Sequence, residues 1–348
     1  MENKISQFNF THENLESQLK TFSQKKITEL YVHDEKLASD KKLLVHFLET
    51  CTREIPDCYI SLKIQPHLID SEIINLLSQL FCSLEIQMTE SKNSIDAKDK
   101  KVFLFDKKLY SKKAALLNNA GLIFGFDLDF ATNAGDSFKA FRDRIDFAVT
   151  LYPNHIDFPQ LEKTASSDKE TSISKSGSLE KCTGTYSSQD IAYSKKIATA
   201  TKIFYTSGRA VPWFNIVLSS LKIAPSKFFS DFAEWLTCNN VVLSDYEKIE
   251  NLTHKEIEKM QLLFLEMKFE EKQKEHLFVI AKDIVSLYGA MSRIELENEE
   301  SVLNLSFNPD DLLSPASLNL NSFSDNVCME ECKIKVYAGE EAPEYKFL

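Results

Sequence analysis

Over residues 8–161 short apolar runs alternate with stretches that place an apolar residue every three or four positions. Ile27–Val32, Tyr59–Ile64, Leu84–Ile86, Val102–Phe105, Leu122–Phe126 and His155–Phe158 are runs of strand length and predict strands. Leu15–Phe22, Lys41–Cys51, Ser71–Leu80, Ser111–Asn119 and Asp136–Leu151 carry the helical period. In the third of these helices Asp70-Ser71 stands before Ile73, Ile74, Leu76, Leu77 and Leu80, an N-cap pair with Glu72 in the first turn. Strand and helix units repeated at this length predict an α/β fold. Its sheet is parallel, open or closed as a barrel, and joined by right-handed crossovers.

The pattern stops at Lys163. From there to Ser188 the sequence is dominated by Ser, Thr and Lys with almost no large apolar residue, which predicts a flexible linker or loop. Asp190–Tyr205 and Lys227–Leu236 regain the helical period. So does the long stretch from His254 to about Arg293, through Ile257, Met260, Phe264, Met267, Phe278, Ile284 and Tyr288, with a break expected around Lys272–Lys274. Beyond Val302, Asn308-Pro309-Asp310-Asp311 opens a helix or turn and Cys332–Tyr337 alternates like an edge strand. The domains expected are 1–162, an α/β unit; 163–188, the linker; and 189–348, a mostly helical C-terminal domain with a short β-containing tail.

Composition narrows the function. The chain has 348 residues, 41 Lys plus Arg against 52 Asp plus Glu, and a net charge of -11. Only five basic residues are Arg (Arg53, Arg142, Arg144, Arg209, Arg293), so the bidentate fork that reads guanine and phosphate is scarce and nucleic acid is not an expected partner. Glycine occurs 8 times, too few for phosphate-cradling loops, and no G-x-S-x-G, H-E-x-x-H, G-K-[ST] or EF-hand pattern is present. No apolar stretch is long enough to span a membrane and Met1-Glu2-Asn3-Lys4 leads into polar sequence, so a cytoplasmic protein is expected. Seven scattered cysteines make no disulfide framework. Cys51 and Cys58 stand seven apart, Cys82 is distant, and Cys328 with Cys332 forms a lone C-x-x-x-C, so no zinc spacing arises and no metal is expected.

The candidate site lies where the strands end. Asp34 and Glu35 follow the first strand, Lys63 and Gln65 close the second, Glu85 and Gln87 flank the third, and Asp127 and Asp129 follow Phe126. His155, Asp157 and Gln160 accompany the last. In a parallel α/β barrel the C-terminal ends of the strands hold the ligand, because loops and helix N-termini converge there. Strand ends also turn polar simply to meet solvent, so the collective pattern carries the inference and no single member does. His155 and Asp157, two apart, share one side of a strand. There a carboxylate can orient an imidazole, although a histidine hydrogen-bonded within the sheet is the commoner arrangement.

Several phrases in order resemble the radical S-adenosylmethionine barrel of cobalamin-linked proteins that carry a C-terminal domain of unknown function. Ile27–Glu35 is similar to the second barrel strand, with Asp34 at the place of its acidic residue. Ser61–Asp70 resembles the third strand and its turn, and Ser83–Gln87 the fourth. Ala120–Phe126 with Gly135–Phe147 resembles a later strand, loop and helix, and Leu151–Gln160 the last strand. Ile203–Phe214 is similar to the phrase that marks the appended helical domain. The family's C-x-x-x-C-x-x-C loop is absent, and the match begins just past its place, with Phe8–Phe22 resembling the first barrel helix. The resemblance implies a partial TIM-like (βα) barrel of radical-SAM type. It also implies a degenerate member without its own [4Fe-4S] cluster, binding a small ligand or a protein partner without catalysis, with S-adenosylmethionine as the ligand the family suggests. Two other readings stay open: an enzyme whose cluster segment is supplied by upstream sequence or a partner chain, and a structural subunit that uses the long helix from His254.

Overall fold

A computed structural model describes residues 4–6, 10–88, 104–132, 135–161 and 182–348 of the chain. The expected strand at Val102–Phe105 falls partly outside them, and its described residues Leu104 and Phe105 are not in a strand. Most of the expected linker, 163–181, also lies outside the described residues. These residues form two compact units, one of 4–160 with 182–191 and one of Leu161 with 192–348.

The first unit alternates strand and helix: β1 (Lys4–Ser6), α1 (Leu15–Gln24), β2 (Glu29–Val32), α2 (Lys41–Glu54), β3 (Tyr59–Ile64), α3 (Ser71–Leu77), β4 (Cys82–Gln87), α4 (Lys107–Asn119), β5 (Ile123–Asp127), α5 (Phe138–Val149) and β6 (His155–Asp157). Short acceptors start the helices. Asp40 accepts from the amides of Lys42 and Leu43, Asp70 from Ile73, Asp106 from Leu109 and Ser137 from Ala140. The six strands are all parallel and stand in sequence order, β1 to β6. Among the described residues no pairing joins β6 back to β1, and the fold is mixed α/β with a parallel sheet.

The pleat separates the side chains. Leu30, Val32, Ile60, Leu62, Ile64, Leu84, Ile86, Phe124, Phe126 and Ile156 alternate onto one face and are buried. The alternate positions (Tyr31, Ser61, Lys63, Ser83, Glu85, Gln87, Gly125, Asp127, His155, Asp157) belong to the opposite face and are mostly polar. Parallel sheets are usually apolar on both faces, which makes this polar face the departure to be explained.

The loop between β5 and α5 is held from within. The Arg144 guanidinium donates to both carboxylate oxygens of Asp136, at 3.0 and 3.1 Å, and to the Asp129 carbonyl at 2.6 Å. The last residues of the expected linker join this unit. Thr185 donates to the Asp136 carbonyl at 2.7 Å and Tyr186 is buried, so the linker cannot extend unbroken to Ser188.

The second unit contains α6 (Ser188–Thr201, entering from the first unit) with a π-helical turn at Lys202–Ser207, α7 (Phe214–Leu221), α8 (Pro225–Cys238), α9 (Tyr246–Glu250), α10 (His254–Glu271) and α11 (Glu275–Glu297). The break expected near Lys272–Lys274 separates α10 from α11, with Gln273 at φ 56°. The Gln261 amide donates to the carbonyls of Phe204 and Gly208, satisfying groups that the widened turn leaves over. Strands β7 (Ser301–Leu305), β8 (Cys332–Ala338) and β9 (Pro343–Phe347) form an antiparallel sheet in that order. The alternating Cys332–Tyr337 segment is therefore its central strand and not an edge.

Candidate functional site

Two registers across the first unit's sheet assemble the polar face. Lys63, Glu85, Gly125 and His155 stand side by side on β3 to β6, and Gln87, Asp127 and Asp157 stand side by side one step further along β4 to β6. The Lys63 ammonium lies 3.2 Å from Asp127 Oδ2, and the lysine side chain is 29% exposed against 7% for the aspartate. Glu85 accepts from the Ser61 hydroxyl at 2.7 Å, and its other oxygen lies 3.7 Å from Nε2 of the exposed His33. His155 Nε2 lies 3.6 Å from Asp157 Oδ2. The Gln87 amide donates to the Asp129 carboxylate at 2.7 Å, which ties the end of β4 to the loop after β5.

Burial sets the protonation chemistry. It raises the Asp127 carboxyl to about 6; the Lys63 ammonium opposes the rise, and the Glu85 and Asp157 carboxylates add to it. Burial lowers the His155 imidazole below its ordinary 6.5, against the pull of Glu85 and Asp127. Both shifts favour the uncharged form of the group, the carboxyl by rising and the imidazole by falling.

The raised carboxyl has a consequence for stability. The folded protein holds the Asp127 proton more tightly than an unfolded chain, where aspartate titrates near 3.8. Its stabilising contribution is therefore fully present below pH ~4 and is lost, by about 3 kcal/mol, as the pH rises through about 6. Asp127→Asn is expected to remove this slope between pH ~4 and ~7 in chemical denaturation. Asp283 in the second unit, also raised to about 6 by burial, titrates in the same window, so the readout is the difference between native and variant curves. Parallel curves would place the titration elsewhere.

No protein-family model matches the chain, and no curated protein matches it. Among solved structures it is similar to the radical S-adenosylmethionine methyltransferase TsrM from Kitasatospora setae with tryptophan substrate and a SAM analogue bound. The TM-score is 0.33 at 12% identity, over 48% of this chain and 36% of that one. The same enzyme with cobalamin and a [4Fe-4S] cluster gives 0.33 and 13%, over 48% and 35%. The carboxyl transferase domain of Rhizobium etli pyruvate carboxylase with pyruvate gives 0.27 and 8%, over 100% and 73%. The match thus spans about a third of the length of the methyltransferase. Scores of this size carry no argument, and the site stands on its own geometry.

That geometry redistributes the residues expected from sequence. It brings together Lys63, Glu85, Asp127 and His155, and it couples Gln87 to Asp129. It commits Asp34 elsewhere: its carboxylate accepts from the amides of Phe10 at 2.7 Å, Lys36 at 2.8 Å and Leu37 at 3.3 Å, so this buried aspartate clamps a turn. Gln160 is buried and donates to the Phe130 carbonyl at 3.1 Å, while Glu35 and Gln65 are exposed. Asp157 stands beside His155 on this face, and Ser61 joins it although sequence reading gave Ser61 no role. The signal that could have found Ser61 is the strict alternation of Tyr59-Ile60-Ser61-Leu62-Lys63-Ile64.

Cys51, Cys58 and Cys82 are buried, and Cys51 lies within electrostatic reach of the other two. Burial pushes the Cys51 thiol well up, and the Cys58 and Cys82 thiols to about 11. Cys182, Cys238 and Cys328 are exposed. Among the described residues no three His, Cys, Asp or Glu side chains stand close enough together to hold a metal ion. Likewise, no helix among them is long and apolar enough to cross a membrane.

Proposed function

We propose that this chain is a degenerate protein of radical-SAM type, a partial (βα) barrel that forms no cluster of its own and binds a small polar ligand without catalysis. The observation that carries the reading is the polar face of the parallel sheet. Lys63, Glu85, Asp127, His155 and Asp157 occupy positions that apolar residues would fill at lower desolvation cost. A fold keeps such a face where the charges have a use. Strands in sequence order, all parallel, are the arrangement with which a (βα) barrel begins, and this supports the family assignment. A small ligand fits better than a protein surface, because Asp127 is nearly closed off and a flat partner would not reach it.

Anaerobic incubation with iron and sulfide tests the cluster-free half of the proposal. The protein is expected to emerge colourless, with less than about one iron per four chains after desalting, since a cluster needs several thiolates held together. A stable brown protein carrying about four irons per chain, lost on replacing Cys51, Cys58 and Cys82, would overturn it.

A further inference from the structure

Gly125 sits in the middle of β5, where glycine costs roughly 1 kcal/mol relative to alanine and offers no side chain to pack. In a chain with only 8 glycines, that placement calls for a local reason. The reason is the His155 ring. A Cβ built on Gly125 would overlap the imidazole at Cδ2, Nε2 and Cγ together, so the ring occupies the space an alanine methyl would take. The register shows how it gets there, because Glu85, Gly125 and His155 are neighbours across β4, β5 and β6. A side chain from β6 can reach over the bare Cα toward the carboxylate on β4.

We propose that Gly125 is a positioning residue of the polar face, whose missing side chain lets His155 lie across β5 and sets an imidazole among the carboxylates of Glu85, Asp127 and Asp157. The assignment rests on the reading of this face as a ligand site and says what its ligand meets there. Ionised carboxylates only accept hydrogen bonds, whereas a neutral imidazole both donates and accepts, so the ring widens the choice from purely donating ligands to those that also carry an acceptor. The groups that face the ring are Glu85 from β4, Asp127 from β5 and Asp157 from its own strand, with Lys63 of β3 held on Asp127. All three carboxylates would favour a charged ring, and it is burial at the seat against Gly125 that lowers the ring's basicity.

The test needs no ligand. In the native protein the His155 ring protons, followed by NMR, should titrate below the ordinary histidine value. In Gly125→Ala the displaced ring should titrate nearer that value. A double-mutant cycle separates the ring from the strand. Gly125→Ala alone should lower the folding equilibrium constant about 30-fold, and less than about threefold in a His155→Ala background, where the clash has gone. Should Gly125→Ala not fold, the comparison of His155→Ala with the double variant still decides. A large loss there would show that the glycine serves the backbone, and the proposal would fall. An unmoved His155 titration in a folded Gly125→Ala protein would overturn it as well. Neither result depends on ligand binding. A failure to bind S-adenosylmethionine, used as the probe, would count against the ligand reading and leave the seating of His155 intact.

Discussion

Replacing Arg144 with leucine is expected to cost the first unit about 3 to 5 kcal/mol, a large share of the stability of a domain this size. Arg144 and Asp136 are each 1% exposed and meet in a bidentate pair. Asp136 also accepts from the amides of Ala131 and Ser137, both at 2.9 Å, so its carboxylate organises the whole turn into α5. Removing the guanidinium leaves that carboxylate buried beside backbone amides with its counter-charge gone, and it strips a donor from the Asp129 carbonyl. Because Asp129 is the partner of Gln87, the loss should also loosen the C-terminal end of the polar face. Urea unfolding followed by circular dichroism measures the cost. Replacing both partners, Asp136→Leu with Arg144→Leu, should recover part of it, since an apolar pair leaves no charge stranded. A single-variant loss under about 1 kcal/mol would mean that the pair is solvated.

A cost of similar size, about 3 to 5 kcal/mol, is expected in the second unit for Trp213→Ala. Trp213 is 1% exposed and meets Phe204 edge to face at 5.8 Å between centroids. Phe204 in turn touches the rings of Phe214, Phe228, Phe232 and Phe264, so it ties together the π-helical turn, α7, α8 and α10. Truncating the indole opens a cavity beside this hub that close-packed rings cannot collapse to fill. Trp213→Phe keeps an aromatic in the site and should cost less than half as much. Calorimetric unfolding reads both variants. A Trp213→Ala protein that unfolds at the native temperature would show that the ring cluster does not hold this unit.

How much of this was legible in sequence depends on the range of the interaction. The Asp70 cap and the α2 and α5 helices are local, set by a short acceptor and a three-to-four spacing, and the structure has them close to where the pattern places them. Strand β1 could not be read, because in Lys4-Ile5-Ser6 a single apolar residue makes no pattern. Helix α7 was missed for the opposite reason: Phe214–Leu221 is apolar nearly all round and shows no polar stripe. The polar residues of the site were legible as residue types gathered at strand ends, but only the register between strands puts Lys63 beside Glu85 and His155 on one face. Asp34 had the composition of a site residue. Its partner amide at Phe10, 24 positions away, could be known only from the fold.

The measurement that tests the central claim most directly is calorimetric titration of the full chain with S-adenosylmethionine, beside Glu85→Ala and Lys63→Ala. Binding to the native protein is expected to be weak, with a Kd on the order of 0.1 to 1 mM, since under the proposed cluster-free reading the ligand's amino acid group has no iron anchor. Each variant should weaken it about tenfold or more while keeping the native fold. Binding of equal strength in all three proteins, or no heat with the native protein up to several millimolar ligand, would contradict a ligand site on the polar face of the sheet.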